Sequence, residues 1–270
     1  MASKTLVEFA VKNGFYDPKK DGEFNFSKAY CRDDDRDRDY NDPRVWQIQK
    51  LLTPSLEQPV QAGRSFPVWA APDQKVTIAD LKAIMRNHFE SGELQSHDPY
   101  TKGLRGDEPY RPVSVFRTYE SHVMQVRPWL PRAIGEVTYL AMGMADLSVY
   151  FPVEHFGMGT DKADDKSLYW KFRKLQTLVM TDYPTLAPVV KKAYAEFEKE
   201  VEGRMKTFED SYVKTLKKDP AAAQKSLDDF NIQVIADAEA LTADLMNQVF
   251  TIRTADIQKE NFFANRQKKD

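Results

Sequence analysis

A chain of 270 residues with 41% hydrophobic and 30% charged side chains has globular composition and enough length for one large or two small domains. With 39 Lys and Arg against 41 Asp and Glu it lacks the field that draws in nucleic acid or an anionic membrane. Its single cysteine, Cys31, excludes an internal disulfide and a Cys-rich zinc site, and points to a reducing, cytoplasmic setting.

Lys4, Glu8 and Lys12 interrupt the first residues, so these do not form the apolar core of a signal peptide, and no stretch approaches the length of a membrane span. Leu6, Phe9 and Ala10 share one helical face, and Asn13-Gly14 stops that helix. Asp17-Pro18 and Asp21-Gly22 make residues 15–30 a turn-rich linker. The alternating charges of residues 32–39 read as a solvated loop with local ion pairs. Pro43 after Asp42 opens a helix with Val45, Ile48, Leu51 and Leu52 on one face, ending near Pro54. Thr77 and Asp80 form a capping pattern ahead of Ile78, Leu81, Ile84, Met85 and Phe89, which predicts a second helix.

From about 112 to 154 the chain turns β-branched and aromatic, which predicts strands joined through Pro128, Pro131 and Gly135, with a bulge at Gly143. Leu168, Phe172, Leu175 and Val179 mark a helix, with a break at Pro184 and Pro188. Two long apolar stripes follow, Leu186 to Leu216 and Leu227 to Val249, on either side of Asp219-Pro220. They predict an antiparallel helical hairpin whose stripes bury each other, though such a hairpin can also hold a partner helix. Residues 261–270 carry no pattern and are expected to be a loose tail.

Candidate chemistry is sparse. His88, His97, His122 and His155 lack metal-ligand spacing. His88 falls in the second predicted helix, where a surface or capping role is expected, and His122 in a strand beside Arg117 and Glu120, where a cross-strand polar pair is expected. Cys31 has Arg32 to favour a thiolate and an acidic run to oppose it, and reads as a bystander. No nucleophile elbow, phosphate loop, zinc-helix or dinucleotide fingerprint is present.

Two co-linear blocks carry a resemblance. One is Y-R-P-V-S-V-F-R-T-Y-E-S-H-V-M-Q-V-R-P-W-L-P from Tyr110 to Pro131, continued by G-E-V-T-Y-L-A-M-G and S-V-Y-F-P-V. The other is F-A-V-K-N-G-F-Y-D-P through F-N-F-S-K-A-Y, the Asp/Arg run and D-P-R-V-W at 42–46. Together they resemble the dipeptidases of the N-terminal-nucleophile hydrolases, relatives of the secernins. The resemblance implies an α+β fold: a partial αββα sandwich over residues 1–160, with a C-terminal antiparallel helical hairpin in a helical region at 161–260.

It also implies hydrolysis of unblocked dipeptides without metal or cofactor, by a first-residue cysteine whose own α-amine is the base. Residues 2–6 match an internal helix of that family, so the nucleophile is expected outside this chain. The chain is then the C-terminal portion of the enzyme, inactive alone, with the missing N-terminal half in cis or trans as partner and self-association possible. A non-catalytic binding or assembly module is the alternative. Arg44 is the one site residue the resemblance supplies, because in the bile-salt hydrolase and penicillin acylase branch an arginine in a similar segment points at the nucleophile. An ion pair with Asp33 to Asp39 is the structural alternative for it. Arg117, Glu120 and Ser121 look family-typical, for contact with substrate or for bracing the sheet.

Overall fold

The computed structural model describes residues 2–30, 35–63, 66–101, 110–153 and 167–266. Cys31, His155 and part of the acidic run lie outside them. The chain forms two compact units, one of residues 1–75 with 108–111, the other of residues 76–107 with 112–270. These do not coincide with the expected division at 160, since the sheet and the C-terminal helices share the second unit.

The first unit holds four short helices: α1 (Leu6–Lys12), α2 (Phe26–Tyr30), α3 (Asp35–Tyr40) and α4 (Asp42–Leu52). The backbone N–H of Asn13 donates to Phe9 O, and Gly14 takes a left-handed φ of 72°, so α1 stops where the Asn-Gly pair predicts. Two expectations fail. α2 lies within the presumed linker and α3 within the presumed solvated loop, where alternating Asp and Arg place opposite charges a turn apart and so support a helix. α4 opens at Asp42 with Pro43 in its first turn, but its buried face is Pro43, Trp46 and Gln47, while Leu51 is exposed. Trp46 takes that place because its indole N–H reaches Gln58 O at 3.0 Å, fixing the chain that follows against the helix.

In the second unit α5 (Ile78–Arg86) begins with a complete capping box, Asp80 N–H to Thr77 Oγ1 and Thr77 N–H to Asp80 Oδ2. It ends at Arg86, short of His88 and Phe89. Phe89 has φ 69° and is fully buried, so the chain turns inward there. Strands β1 (Glu120–Val126), β2 (Glu136–Met142) and β3 (Phe151–Val153) form one antiparallel sheet in the order β1-β2-β3. The 127–135 segment joins β1 to β2 as expected. Gly143, at φ 76°, ends β2 and is not a bulge within a longer strand. A Cβ there would lie 2.3 Å from Gln176 Oε1.

Helix α6 (Leu168–Val179) is capped by Ser167 and buries Phe172, Leu175 and Val179 completely. α7 (Tyr183–Leu216) starts three residues ahead of the predicted stripe, with Pro184 in its first turn and Pro188 tolerated just inside. α8 (Pro220–Arg266) returns alongside it, so the hairpin is present. The tail is helical as far as Arg266, because α8 simply continues past its buried stripe.

One sheet face, with Val137, Tyr139 and Ala141, packs on Met205 of α7 and on Ile78 and Leu81 of α5. The other, with Leu140, Met142, Phe151 and Val153, packs on Phe172, Leu175, Val190 and Val249. The fold is therefore α+β with a small three-stranded sheet and a helical C-terminal half. No helix among the described residues is long and apolar enough to cross a membrane.

Candidate functional site

Arg44 stands on the first turn of α4 and is half-buried. Its Nε donates to Tyr40 O at 2.7 Å and its Nη2 to Asn41 Oδ1 at 2.5 Å. Those bonds come from the junction between α3 and α4, so the acidic helix that sequence reading took for a loop is what orients the guanidinium. Arg111 stacks over Tyr40 at 4.2 Å and donates its N–H to Asp39 O, fixing the same junction from the far side. A planar donor held in this way is pre-organised to receive a carboxylate or a developing oxyanion. Asp33 and Asp34, two of the five aspartates of the proposed ion-pair alternative, lie outside the described residues.

In the second unit, Glu120, Ser121 and His122 open β1, and with Met85, Val113, Thr118 and Ala145 they line a recess of about 260 Å³. Alternation along the strand separates their roles. Ser121 faces inward and shares a 2.6 Å hydrogen bond with Tyr150 OH, so it braces the sheet. Burial pushes the Tyr150 phenol up to about 12, which keeps it neutral. His122 and Glu120 face outward together, His122 Nδ1 lying 3.1 Å from Glu120 Oε2. The expected cross-strand pair is thus corrected: the residue opposite His122 is Leu140, and its polar partner is two residues away on its own strand. Arg117 is exposed on the segment leading into β1. His97 sits in a 3-10 turn, Gln95–His97.

Sequence reasoning missed the densest polar cluster. His88 is 1% exposed, beyond the end of α5, so it is neither a surface nor a capping residue. Its Nδ1 is 3.0 Å from Asp98 Oδ1 and its Nε2 is 2.9 Å from Tyr183 OH. Tyr183 donates to Asp146, which also accepts from Lys191 Nζ at 2.5 Å. Burial works against a charge on His88, but the bond to Asp98 and the charges of Asp146 and Glu90 outweigh it and raise its pKa. Asp98 is likewise held below its usual range: burial opposes this, but His88 and the backbone N–H groups of Tyr100 and Thr101 prevail. Asp146 and Lys191 open onto a cleft of about 290 Å³ whose wall carries Lys82, Arg86, Glu198 and Glu202. Glu198, itself buried, accepts from Tyr150 N, Arg86 and Lys82, so the cleft wall is a closed ion network. No local motif signals this cluster, because His88, Asp98, Asp146 and the α7 pair Tyr183 and Lys191 come from four separate segments.

The family model described as Peptidase family C69 matches residues 1–196. The chain belongs to peptidase family C69. A probable dipeptidase of Salmonella dublin is 49% identical over 166 residues, covering 60% of this chain and 37% of that protein. A probable dipeptidase of Latilactobacillus sakei is 29% identical over 192 residues, 68% of this chain and 39% of its own length. A dipeptidase of Bifidobacterium longum is 27% identical over 198 residues, 66% and 36% respectively. The chain thus spans well under half the length of these relatives. The C69 match takes in Arg44, the β1 recess and the His88 cluster, and it ends within α7, leaving α8 outside.

Proposed function

We propose that this chain is the C-terminal portion of a cysteine dipeptidase that hydrolyses unblocked dipeptides. The observation that carries the reading is the C69 match over residues 1–196, with relatives named dipeptidase. In the proposed chemistry the thiolate of a first-residue cysteine attacks the peptide carbonyl while its own α-amine takes the thiol proton and later returns it to the leaving amine. Water then resolves the acyl-enzyme. The only thiol of this sequence, Cys31, has a peptide-bonded nitrogen in the intact chain and so no free amine beside it. The nucleophile accordingly comes from the part of the enzyme outside these residues, supplied in cis or in trans, and the chain alone is inactive. The complete enzyme is read as an αββα sandwich of which the three-stranded sheet and its helices are one part.

Arg44 is the residue of this chain assigned to the reacting centre. Its two bonds to the α3–α4 junction support a fixed guanidinium that stabilises the thiolate and the negative charge developing on the carbonyl oxygen.

The test is hydrolysis of a panel of unblocked dipeptides by the chain alone and after addition of a separately expressed, Cys-initiated N-terminal half of a relative. Activity is expected only in the mixture, and Arg44→Ala is expected to lower kcat/KM there by about 10²- to 10³-fold. An inactive mixture of folded, associated halves would favour a non-catalytic assembly module. Activity of the chain alone would return attention to Cys31.

A further inference from the structure

The two edges of the sheet are built differently. Over its described residues, Phe151–Val153, β3 contains Pro152, which has no N–H to offer, so that edge is blunted against further pairing. β1 is seven residues long, Glu120-Ser-His-Val-Met-Gln-Val126, with neither proline nor lysine, and it pairs only with β2 among the described residues.

The direction of its backbone follows from its two ends. Gly143 N–H donates to Tyr119 O at 2.7 Å, and Arg127 N–H donates to Gly135 O at 2.6 Å. Both pairs are in register with the β1–β2 ladder, so the odd-numbered residues of β1 are those bonded to β2. The N–H and C=O groups of Glu120, His122, Met124 and Val126 therefore point away from the sheet.

The side chains of these same four residues occupy the uncovered part of one sheet face. Opposite Glu120 and His122 on that face are Met142 and Leu140, which are buried under α6 and its neighbours. Cover stops there, leaving Met124 59% and Val126 69% exposed, with Trp129 73% exposed in the turn that follows. An edge of outward backbone groups flanked by bare apolar side chains is unstable in isolation and is normally paired or covered.

We propose that the outer edge of β1 is the seat of an extended strand from the part of the C69 chain that lies outside the stretch matched here. The occupant is chosen by length: the matched stretch covers only 37% and 39% of the first two relatives, so more than half of each chain is available to supply it. This rests on the reading that the chain works together with the remainder of the enzyme. The added strand bonds to the backbone of Glu120, His122, Met124 and Val126. Its apolar residues cover Met124 and Val126, and a basic residue faces the Glu120 carboxylate.

The experiment uses the 270-residue chain and the portion of the Salmonella dublin relative outside the match, with their dissociation constant measured by interferometry. His122→Pro removes one outward N–H without touching the β2 ladder, and Met124→Lys removes the apolar cover while keeping the backbone intact. Both variants are checked for an unchanged circular dichroism spectrum. Each is expected to weaken association about ten-fold or more, whereas Ile257→Lys, an exposed apolar residue on α8, does not. Amide exchange at His122, Met124 and Val126 should slow in the complex.

Three results overturn the proposal: no association of the folded chain, association unchanged by both variants, or a homodimer of the chain that His122→Pro dissolves, which would make a second copy the occupant. Association without dipeptide hydrolysis would leave the seat standing and remove the dipeptidase reading.

Discussion

Tyr183 has a single hydroxyl proton, and the structure gives it to Asp146. The 2.9 Å contact between its oxygen and His88 Nε2 must then be donated by the imidazole, while Nδ1 donates to Asp98. This arrangement favours the imidazolium form of His88, flanked by Asp98 and Asp146, with Glu90, Tyr100 and, beyond Asp146, Lys191 as the other polar neighbours. Its folded pKa is raised above 6.5, so the folded chain keeps a proton that the unfolded chain has released. The resulting stabilisation is complete below the unfolded value and is lost as pH rises through the folded pKa. Asp98 acts in the opposite direction: its pKa is lowered from 3.8, so its contribution is lost on acidification through the folded value. Thermal melts from pH 6 upward should show a falling Tm in the wild type and a flatter profile in His88→Gln; equal slopes would mean a neutral His88. Nitrogen NMR of the His88 ring at pH 7 should report both nitrogens protonated.

At the scale of elements, two buried side chains tie the sheet to the helices around it. Gln176 of α6 donates to Met142 O at 2.8 Å and accepts from Met144 N–H at 3.1 Å, closing the corner between β2 and β3 over Gly143. Gln176→Leu would leave that N–H and carbonyl unpaired in the core and should cost about 1–3 kcal/mol in urea unfolding. Glu198 of α7 balances Arg86 and the buried Lys82 on α5 and also accepts Tyr150 N–H at 2.6 Å. Glu198→Ala leaves Arg86 without its carboxylate partner and the buried Lys82 with only Glu202, and should cost roughly 3–5 kcal/mol by the same measurement. By contrast Thr77→Ala, which opens the exposed capping box of α5, should cost only about 1 kcal/mol. A larger loss for Thr77 than for Glu198 would show that α5 is held by its cap and not by its ion pairs.

For the whole molecule, burial is divided unevenly between the units. Among the described residues the apolar clusters lie in the second unit, while the first buries little apolar surface beyond Ala10, Pro43 and Trp46. A unit with so little core opens at small cost. Amides of α1 to α4 are expected to exchange in deuterium faster than those of α6 and the middle of α7; uniform protection across the chain would contradict this.

Local order was written in the sequence. The Asn13-Gly14 stop, the Thr77 capping box, the β-branched and aromatic content of the strands and the stripes of α6 to α8 are set by neighbours within a few residues, where propensity and pattern act. Membership of the dipeptidase family was legible too, because a co-linear series of blocks survives in the order of residues. Partners brought together over long separations were not legible. His88 is 95 residues from Tyr183 and Lys82 is 116 from Glu198, and in sequence each looks like an ordinary polar residue at a helix surface. The buried face of α4 was misread for the same reason: Trp46 is covered by residues a dozen positions on. Only the tertiary structure decided which polar groups lose water together, because that depends on which segments meet in space.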